Sequence, residues 1–178
     1  MANIGFISLG CAKNQVDCER MMYRVQEAGH TVCADVMGCD VVVINTCGFI
    51  ESAKQESIEE ILELAKLKEE GKIKALIVSG CLAERYKEDI KKEMPEVDAV
   101  IGLGANGDIV EAVKKALNKE TYESFPDKEL MPLDDKRIGS TPPHYAYLKV
   151  ADGCDNKCTY CAIPMIRGRF RSRTMESI

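Results

Sequence analysis

The chain has 178 residues, of which 46% are hydrophobic, so it can form one ordinary domain with some residues to spare. It contains no apolar run of 18 residues and no secretory leader, which argues against a membrane span and against export. We therefore expect its nine cysteines to serve metal or redox chemistry in the cytoplasm, because disulfide frameworks are typical of small secreted proteins.

Charge is distributed unevenly along the chain. Residues 1–135 carry 16 Lys and Arg against 26 Asp and Glu, whereas residues 136–178 carry 8 against 3. Binding of nucleic acid depends on neutralising its phosphates, so nucleic acid is not expected as a partner of the acidic part. A basic protein partner would suit that part better; the alternative is a merely solvated acidic surface.

The first 118 residues alternate between strand patterns and helix patterns. Strands are predicted at 3–9, 30–34, 40–46, 74–79 and 97–101, and helices at 14–28, 52–70, 83–93 and 107–118. The run 40–46 (DVVVINT) is apolar without alternation, as expected for a parallel strand covered on both faces. This order predicts an α/β fold, a flavodoxin-like parallel sheet in the order 2-1-3-4-5 with helices on both faces.

The remaining residues indicate a linker and a second domain. Residues 119–143 contain four prolines and many charges without periodicity, which predicts a linker. Residues 145–151 (YAYLKVA) have the pattern of a new strand that leads into a cysteine cluster. We therefore divide the chain into a first domain at 1–118 and the start of a second domain at 144–178.

Three cysteines near the end of the chain are spaced C-x3-C-x2-C, at Cys154, Cys158 and Cys161. Thiolates are the ligands that soft metals prefer. Iron-sulfur clusters are usually held by four cysteines, so a cluster held by these three would leave one iron open to another ligand. The alternative is a structural zinc site, which normally closes with a fourth cysteine or histidine, and the nearest histidine, His144, lies ten residues upstream.

A second triplet follows from the predicted topology. Cys11, Cys47 and Cys81 come directly after the first, third and fourth strands, and each has a glycine neighbour. In the predicted order these strands are adjacent, so the three thiols are expected to converge at the carboxyl edge of the sheet. Each cysteine alone would be interpreted as a small buried apolar residue, but the convergence favours a second cluster. The other cysteines, Cys18, Cys33 and Cys39, are assigned to packing.

The motifs around these cysteines resemble a known family. The pattern Cys-x3-Cys-x-aromatic-Cys, with Tyr160 as the aromatic residue, resembles the signature of radical S-adenosylmethionine (SAM) enzymes. The methylthiotransferase branch of those enzymes is similar in four further segments, at 8–14 (SLGCAKN), 45–50 (NTCGFI), 79–81 (SGC) and 167–169 (RGR). The resemblance implies two 4Fe-4S clusters, one held by Cys11, Cys47 and Cys81, and the other by Cys154, Cys158 and Cys161. It also implies SAM on the open iron of the second cluster, beside Tyr160.

Within that family, residues 45–57 and 144–149 are similar to members that modify an aspartate of small-subunit ribosomal protein S-twelve. The resemblance implies that a methylthio group is added to the β-carbon of the aspartate, with one SAM donating the methyl group and another yielding the radical that removes hydrogen. An electron donor is then required. The alternatives are a tRNA adenosine as the substrate, and a non-catalytic module that binds zinc or senses redox state through its thiols.

Two further patterns are assigned to structure. Residues 102–107 (GLGANG) fit G-x-G-x-x-G, but no later strand supplies the acidic residue of a dinucleotide site, so a helix-entry loop is predicted. The alternating arginines after the second triplet favour a solvated basic edge over a patch for the SAM carboxylate or the substrate; they are Arg167, Arg169, Arg171 and Arg173. The radical SAM core of the family is a barrel far longer than the 17 residues after Cys161, so we expect an N-terminal fragment that is inactive alone.

Overall fold

The computed structural model describes residues 1–134 and 136–178. Its centre is a sheet of six parallel strands in the order β2-β1-β3-β4-β5-β6. The strands are β1 (Asn3–Ser8), β2 (Thr31–Cys33), β3 (Val41–Thr46), β4 (Ala75–Gly80), β5 (Ala99–Ile101) and β6 (Tyr122–Ser124). The helices around it are α1 (Ala12–Glu27), α2 (Glu51–Glu69), α3 (Cys81–Arg85), α4 (Lys87–Glu93) and α5 (Ile109–Leu117). The predicted fold class and the predicted order of the first five strands are confirmed.

The central strands β3 and β4 are buried along their whole length. On one face of the sheet, Ile44 and Leu76 pack with residues of α2 and α4 such as Ile61 and Ile90. On the other face, alternate residues of the same strands pack against α1 and α5. The absence of polar alternation in these strands follows from this double cover, because both faces of each strand are removed from water.

The sixth strand lies inside the segment predicted as a linker, so that prediction is wrong for residues 122–124. Tyr122 and Ser124 of β6 pair in parallel with Ala99 and Ile101 of β5. A three-residue edge strand with the sequence Tyr-Glu-Ser carries too little apolar alternation to be recognised as a strand. Residue 135, also within the predicted linker, lies outside the described residues.

The rest of the linker segment is anchored on α1. The buried carboxylate of Glu19 accepts hydrogen bonds from the backbone N–H and the hydroxyl of Ser140, both at 2.8 Å, and pairs with Arg137 at 2.9 Å. Arg20 donates to the carbonyl oxygens of Pro132 and Leu133. The segment therefore runs along α1, and beyond it Lys149 pairs with Asp17 of the same helix.

The strand predicted at 145–151 forms only at its end. Ala151 and Asp152 make up β7, which pairs antiparallel with β8 (Arg171–Ser172), and the short helix α6 (Ile163–Arg167) lies between them. Residues 145–148 are exposed, and no strand of the described residues lies beside them to form a backbone ladder. The predicted start of a parallel barrel is therefore not seen in the described residues.

The predicted helix at 83–93 is also divided. Tyr86 interrupts it with a backbone ψ of 33°, outside the helical range, so α3 ends and α4 begins around this residue. A 3-10 helix at Leu103–Asp108 leads into α5, which confirms the helix-entry interpretation of residues 102–107. In that loop, Leu103 N–H donates to the Glu84 carboxylate at 2.9 Å, so an acidic group occupies the place that a phosphate would need.

Candidate functional site

The first cysteine triplet lies at the carboxyl edge of the sheet. Cys11 follows β1 at the N-terminus of α1, Cys47 directly follows β3, and Cys81 is the first residue of α3 after β4. All three line one cavity of about 980 Å³, together with Phe49 and Ile166. The structure therefore brings these three predicted residues together, because β1, β3 and β4 are adjacent and parallel.

Glycine allows the loops of this cavity to approach one another. Gly10 has a φ of +91°, and a Cβ added to it would lie 2.7 Å from the Cys47 Cβ and 2.9 Å from its Sγ. Any side chain at this position would collide with the cysteine. Three thiols facing one glycine-lined cavity suit a bulky group with thiolate ligands such as an iron-sulfur cluster. In the described part of the chain, no three His, Cys, Asp or Glu side chains are arranged to hold a metal ion, so the fit to a cluster rests on the three thiols and on the room in the cavity that they line.

Cys81 is the most deeply placed thiol of this triplet. It donates a hydrogen bond to the Asn14 Oδ1 at 3.4 Å, and the Arg167 Nη2 lies 3.7 Å from its sulfur. Burial raises the pKa of the Cys81 thiol to about 11, while the Arg167 guanidinium opposes this rise by favouring the thiolate. Cys11, in contrast, is exposed at the mouth of the cavity.

Arg167 belongs to a buried ionic cluster that the sequence did not predict. It lies 3.0 Å from Asp17 of α1 and 2.9 Å from Asp152 of β7. Lys149 lies 2.6 Å from each of the same two carboxylates. All four side chains are at most 2% exposed, so the prediction of a solvated basic edge is wrong for Arg167. Its carboxylate partners come from distant parts of the chain, which is why the local pattern of alternating arginines concealed it.

The contribution of this ionic cluster to the stability of the fold depends on pH through Asp152. Burial alone would raise the pKa of Asp152, but Arg167 and Lys149 lower it to about 2. A carboxylate whose pKa is depressed on folding stabilises the native state above its unfolded pKa, near 4, and this contribution is lost as the pH falls towards 2. The contribution at neutral pH is about 2 kcal/mol.

We expect the free energy of unfolding of the unsubstituted chain to fall more steeply between pH 5 and pH 3 than that of Asp152→Asn. The substituted amide carries no charge that acid could remove. The variant should therefore be the less stable protein at pH 5, and the two free energies of unfolding should converge as the pH falls. Urea unfolding followed by circular dichroism at several pH values measures the difference. Parallel curves over this range would show that Asp152 does not carry the depressed pKa.

The second triplet lies in the loop between β7 and α6. Its backbone is held by a bond from the Cys154 N–H to the Gly168 oxygen and another from the Cys161 N–H to the Cys158 oxygen, both 3.1 Å long. Cys158 and Tyr160 are exposed, and none of the three cysteines lines the cavity of the first triplet. The second triplet therefore does not contribute to that cavity, and the cluster and SAM assignments for this loop remain predictions.

The remaining cysteines pack in the interior, as predicted. Cys18 and Cys39 are buried, and Cys33 is half-buried against the same core as Cys39. Burial raises the pKa of Cys18 to about 12 and that of Cys39 to about 11, which keeps both thiols protonated at neutral pH. None of the described helices is both long enough and apolar enough to cross a membrane.

The parallel sheet, with cysteines at three adjacent strand ends, corresponds to the part of the chain that a family model matches. The model matches residues 3–102, and the chain belongs to that family, which is described as Uncharacterized protein family UPF0004. The similarity to curated proteins extends further and covers the second cysteine triplet as well.

These relatives are named "Ribosomal protein uS12 methylthiotransferase RimO". The protein from Desulforamulus reducens is 50% identical over 180 residues, which cover 100% of this chain and 40% of the relative. The protein from Natranaerobius thermophilus is 49% identical over 178 residues, covering 98% and 40%, and that from Clostridioides difficile is 48% identical over 179 residues, covering 100% and 40%. The predicted resemblance to methylthiotransferases is confirmed, and the chain spans about two fifths of the length of these relatives.

Proposed function

We propose that this chain is the N-terminal part of a radical SAM methylthiotransferase that modifies an aspartate of ribosomal protein uS12. The observation that carries the proposal is an identity of 50% over the whole chain to a relative of that name. The convergence of Cys11, Cys47 and Cys81 on one cavity supports it independently, since this chemistry needs a cluster there.

In this proposal, each cysteine triplet holds one 4Fe-4S cluster. Cys11, Cys47 and Cys81 would hold the first, and Cys154, Cys158 and Cys161 the second, with SAM and Tyr160 beside it. When bound, these groups supply one-electron and sulfur-transfer chemistry at an unactivated C–H bond, which acid-base side chains cannot supply. The electron donor would be a low-potential reductant.

The chain's own residues have definable roles at the first cluster. The three cysteines would provide thiolates, and Gly10 leaves room for the loop after β1 to lie against Cys47. The apolar side chains of Phe49 and Ile166 line the same cavity and would give the cluster apolar neighbours. The domain division follows the same lines, with 1–118 and the edge strand β6 forming the domain of the first cluster, the rest of 119–143 connecting, and 144–178 beginning the SAM-binding domain.

A protein substrate fits the charge distribution better than tRNA does. Residues 1–135 carry ten more acidic than basic side chains, 26 against 16, which would repel a phosphate backbone and attract a basic ribosomal protein. The similarity to uS12-directed relatives points in the same direction.

Mass spectrometry of ribosomal proteins and tRNA from cells that lack the complete gene tests this proposal. We expect uS12 to lose a methylthio group on one aspartate and tRNA nucleosides to be unchanged. Reintroducing the gene should restore the modification, whereas a copy with Cys81→Ala should not, because the first cluster would lack a ligand. Unchanged uS12 together with missing methylthio-adenosine would assign the enzyme to tRNA, and no change in either would favour a non-catalytic thiol module.

A further inference from the structure

Arg167 connects the two cysteine triplets physically. It lies six residues after Cys161, at the end of α6, yet its Nη2 lies 3.7 Å from the sulfur of Cys81 in the other triplet. The same nitrogen donates to the Asn14 Oδ1 at 2.5 Å, and this oxygen also accepts from the Cys81 thiol. A side chain that follows one proposed cluster site therefore donates to a proposed ligand of the other.

The position of this guanidinium is fixed from two directions. Its Nη1 contacts Asp17 from α1 and Asp152, which lies two residues before Cys154. Lys149 pairs with both carboxylates, and the partly exposed Lys13 lies 3.5 Å from Asp152, so the two carboxylates of this ionic cluster are neutralised without any contribution from the cysteine. A buried ionic cluster of this kind is weak evidence for stability, because desolvation offsets most of the Coulomb attraction.

We infer that Arg167 is a positioning residue for the cluster held by Cys11, Cys47 and Cys81, and that it favours the reduced state of that cluster. The inference rests on the proposed function, since it requires a cluster at these cysteines. Arginine carries its positive charge at every relevant pH and presents several donors in a rigid plane. Hydrogen bonds to ligand sulfur and nearby charge set the reduction potential of iron-sulfur clusters, so a buried cation beside Cys81 stabilises the more negative, reduced form.

The experiment isolates the first cluster by replacing Cys154, Cys158 and Cys161 with alanine in the 178-residue chain. Redox titration monitored by electron paramagnetic resonance then gives the midpoint potential of the remaining cluster, after anaerobic reconstitution. Arg167→Met should lower the potential, with at least a tenfold change in the ratio of reduced to oxidised cluster, which is about 59 mV for one electron. Arg167→Lys keeps the charge and should restore part of the difference.

Arg169→Met is the matched control. Arg169 lies two residues away with a side chain that is 78% exposed, and its only ion pair in the described structure is with exposed Asp155, so the potential should not change. In a second background, with Cys11, Cys47 and Cys81 replaced by alanine, Arg167→Met should leave the potential of the other cluster nearly unchanged. Equal shifts of the midpoint potential in the two backgrounds would indicate that Arg167→Met loosens the structure as a whole, and they would overturn the inference.

A variant that preserves the charge balance addresses misfolding. Arg167→Met combined with Asp152→Asn removes one positive and one negative group, leaving Lys149 paired with Asp17. If the single variant does not retain iron, the midpoint potential is measured on the double variant and on Arg167→Lys instead. A parental potential in Arg167→Met, or an unchanged potential in the double variant compared with Asp152→Asn alone, would overturn the inference while leaving the proposed function intact. Failure of the first background itself to bind iron would instead contradict the proposed cluster site, and the inference with it.

Discussion

Replacing Gly80 with alanine is expected to destabilise the chain by roughly 3 kcal/mol or more, or to prevent folding. Gly80 ends β4 with a φ of +94°, in the left-handed region, and it directly precedes Cys81. A Cβ at this position would lie 2.3 Å from the Asn45 Oδ1 and 2.5 Å from the Thr46 carbonyl oxygen. The collision involves the backbone of the neighbouring strand β3, which cannot move without breaking the central pairing. Urea unfolding measures the loss.

Gly29→Ala provides the control. Gly29 has a similar φ of +84°, but a Cβ added there would meet no atom of the described residues within 4 Å. The variant is expected to lose only the cost of the left-handed conformation, about 1 kcal/mol. Equal losses in the two variants would show that backbone conformation alone, and not the close approach of β3 and β4, determines the requirement for glycine at residue 80.

Replacing Cys11, Cys47 and Cys81 together with alanine is expected to remove half of the iron from the anaerobically reconstituted chain. The three side chains line one cavity and would supply all of the thiolates of the first cluster. The second triplet lies in a separate loop, between β7 and α6, so its iron should remain. Iron and acid-labile sulfide analysis measures the loss.

The other three cysteines serve as the matched control for this experiment. Replacing Cys18, Cys33 and Cys39 with alanine removes the same number of thiols, but from the interior, so stability should fall while the iron content stays the same. If the two triple variants lost equal amounts of iron, the assignment of the cavity cysteines as specific ligands would be wrong.

Much of the first domain was predictable because its strongest signals are local. The run 40–46 had no polar alternation, and β3 is indeed covered on both faces. The predicted strand order was then enough to place the first triplet together, since cysteines that follow adjacent parallel strands must meet at one edge of the sheet. Strand β6 was missed because a three-residue polar edge strand depends on its neighbour for pairing and has no pattern of its own.

The ionic cluster around Arg167 was not predictable in the same way. Its partners lie 150 residues away at Asp17 and 15 residues away at Asp152, and no local period links them. One signal was available: Asp17 lies between the apolar residues Val16 and Cys18, both buried in α1. A charged residue in such a setting requires a buried partner, but the sequence does not show which cation supplies it.

The strand predicted at 145–151 failed for a related reason. Its apolar and aromatic residues satisfy the strand pattern, but Lys149 is buried against Asp17 of α1, and residues 145–148 have no neighbouring strand within the part of the chain that the structure describes. Strand propensity describes a side chain that fits a pleated, half-buried surface, and that surface has to be present.

The iron and sulfide content of the unsubstituted chain, measured after anaerobic reconstitution, tests the central claim most directly. Two 4Fe-4S clusters predict about eight irons and about eight sulfides per chain. An iron content near four per chain would show that only one of the two cysteine triplets holds a cluster. Stoichiometric zinc without iron, in protein purified and reconstituted with iron present, would contradict the assignment of both triplets and with it the proposed methylthiotransferase chemistry.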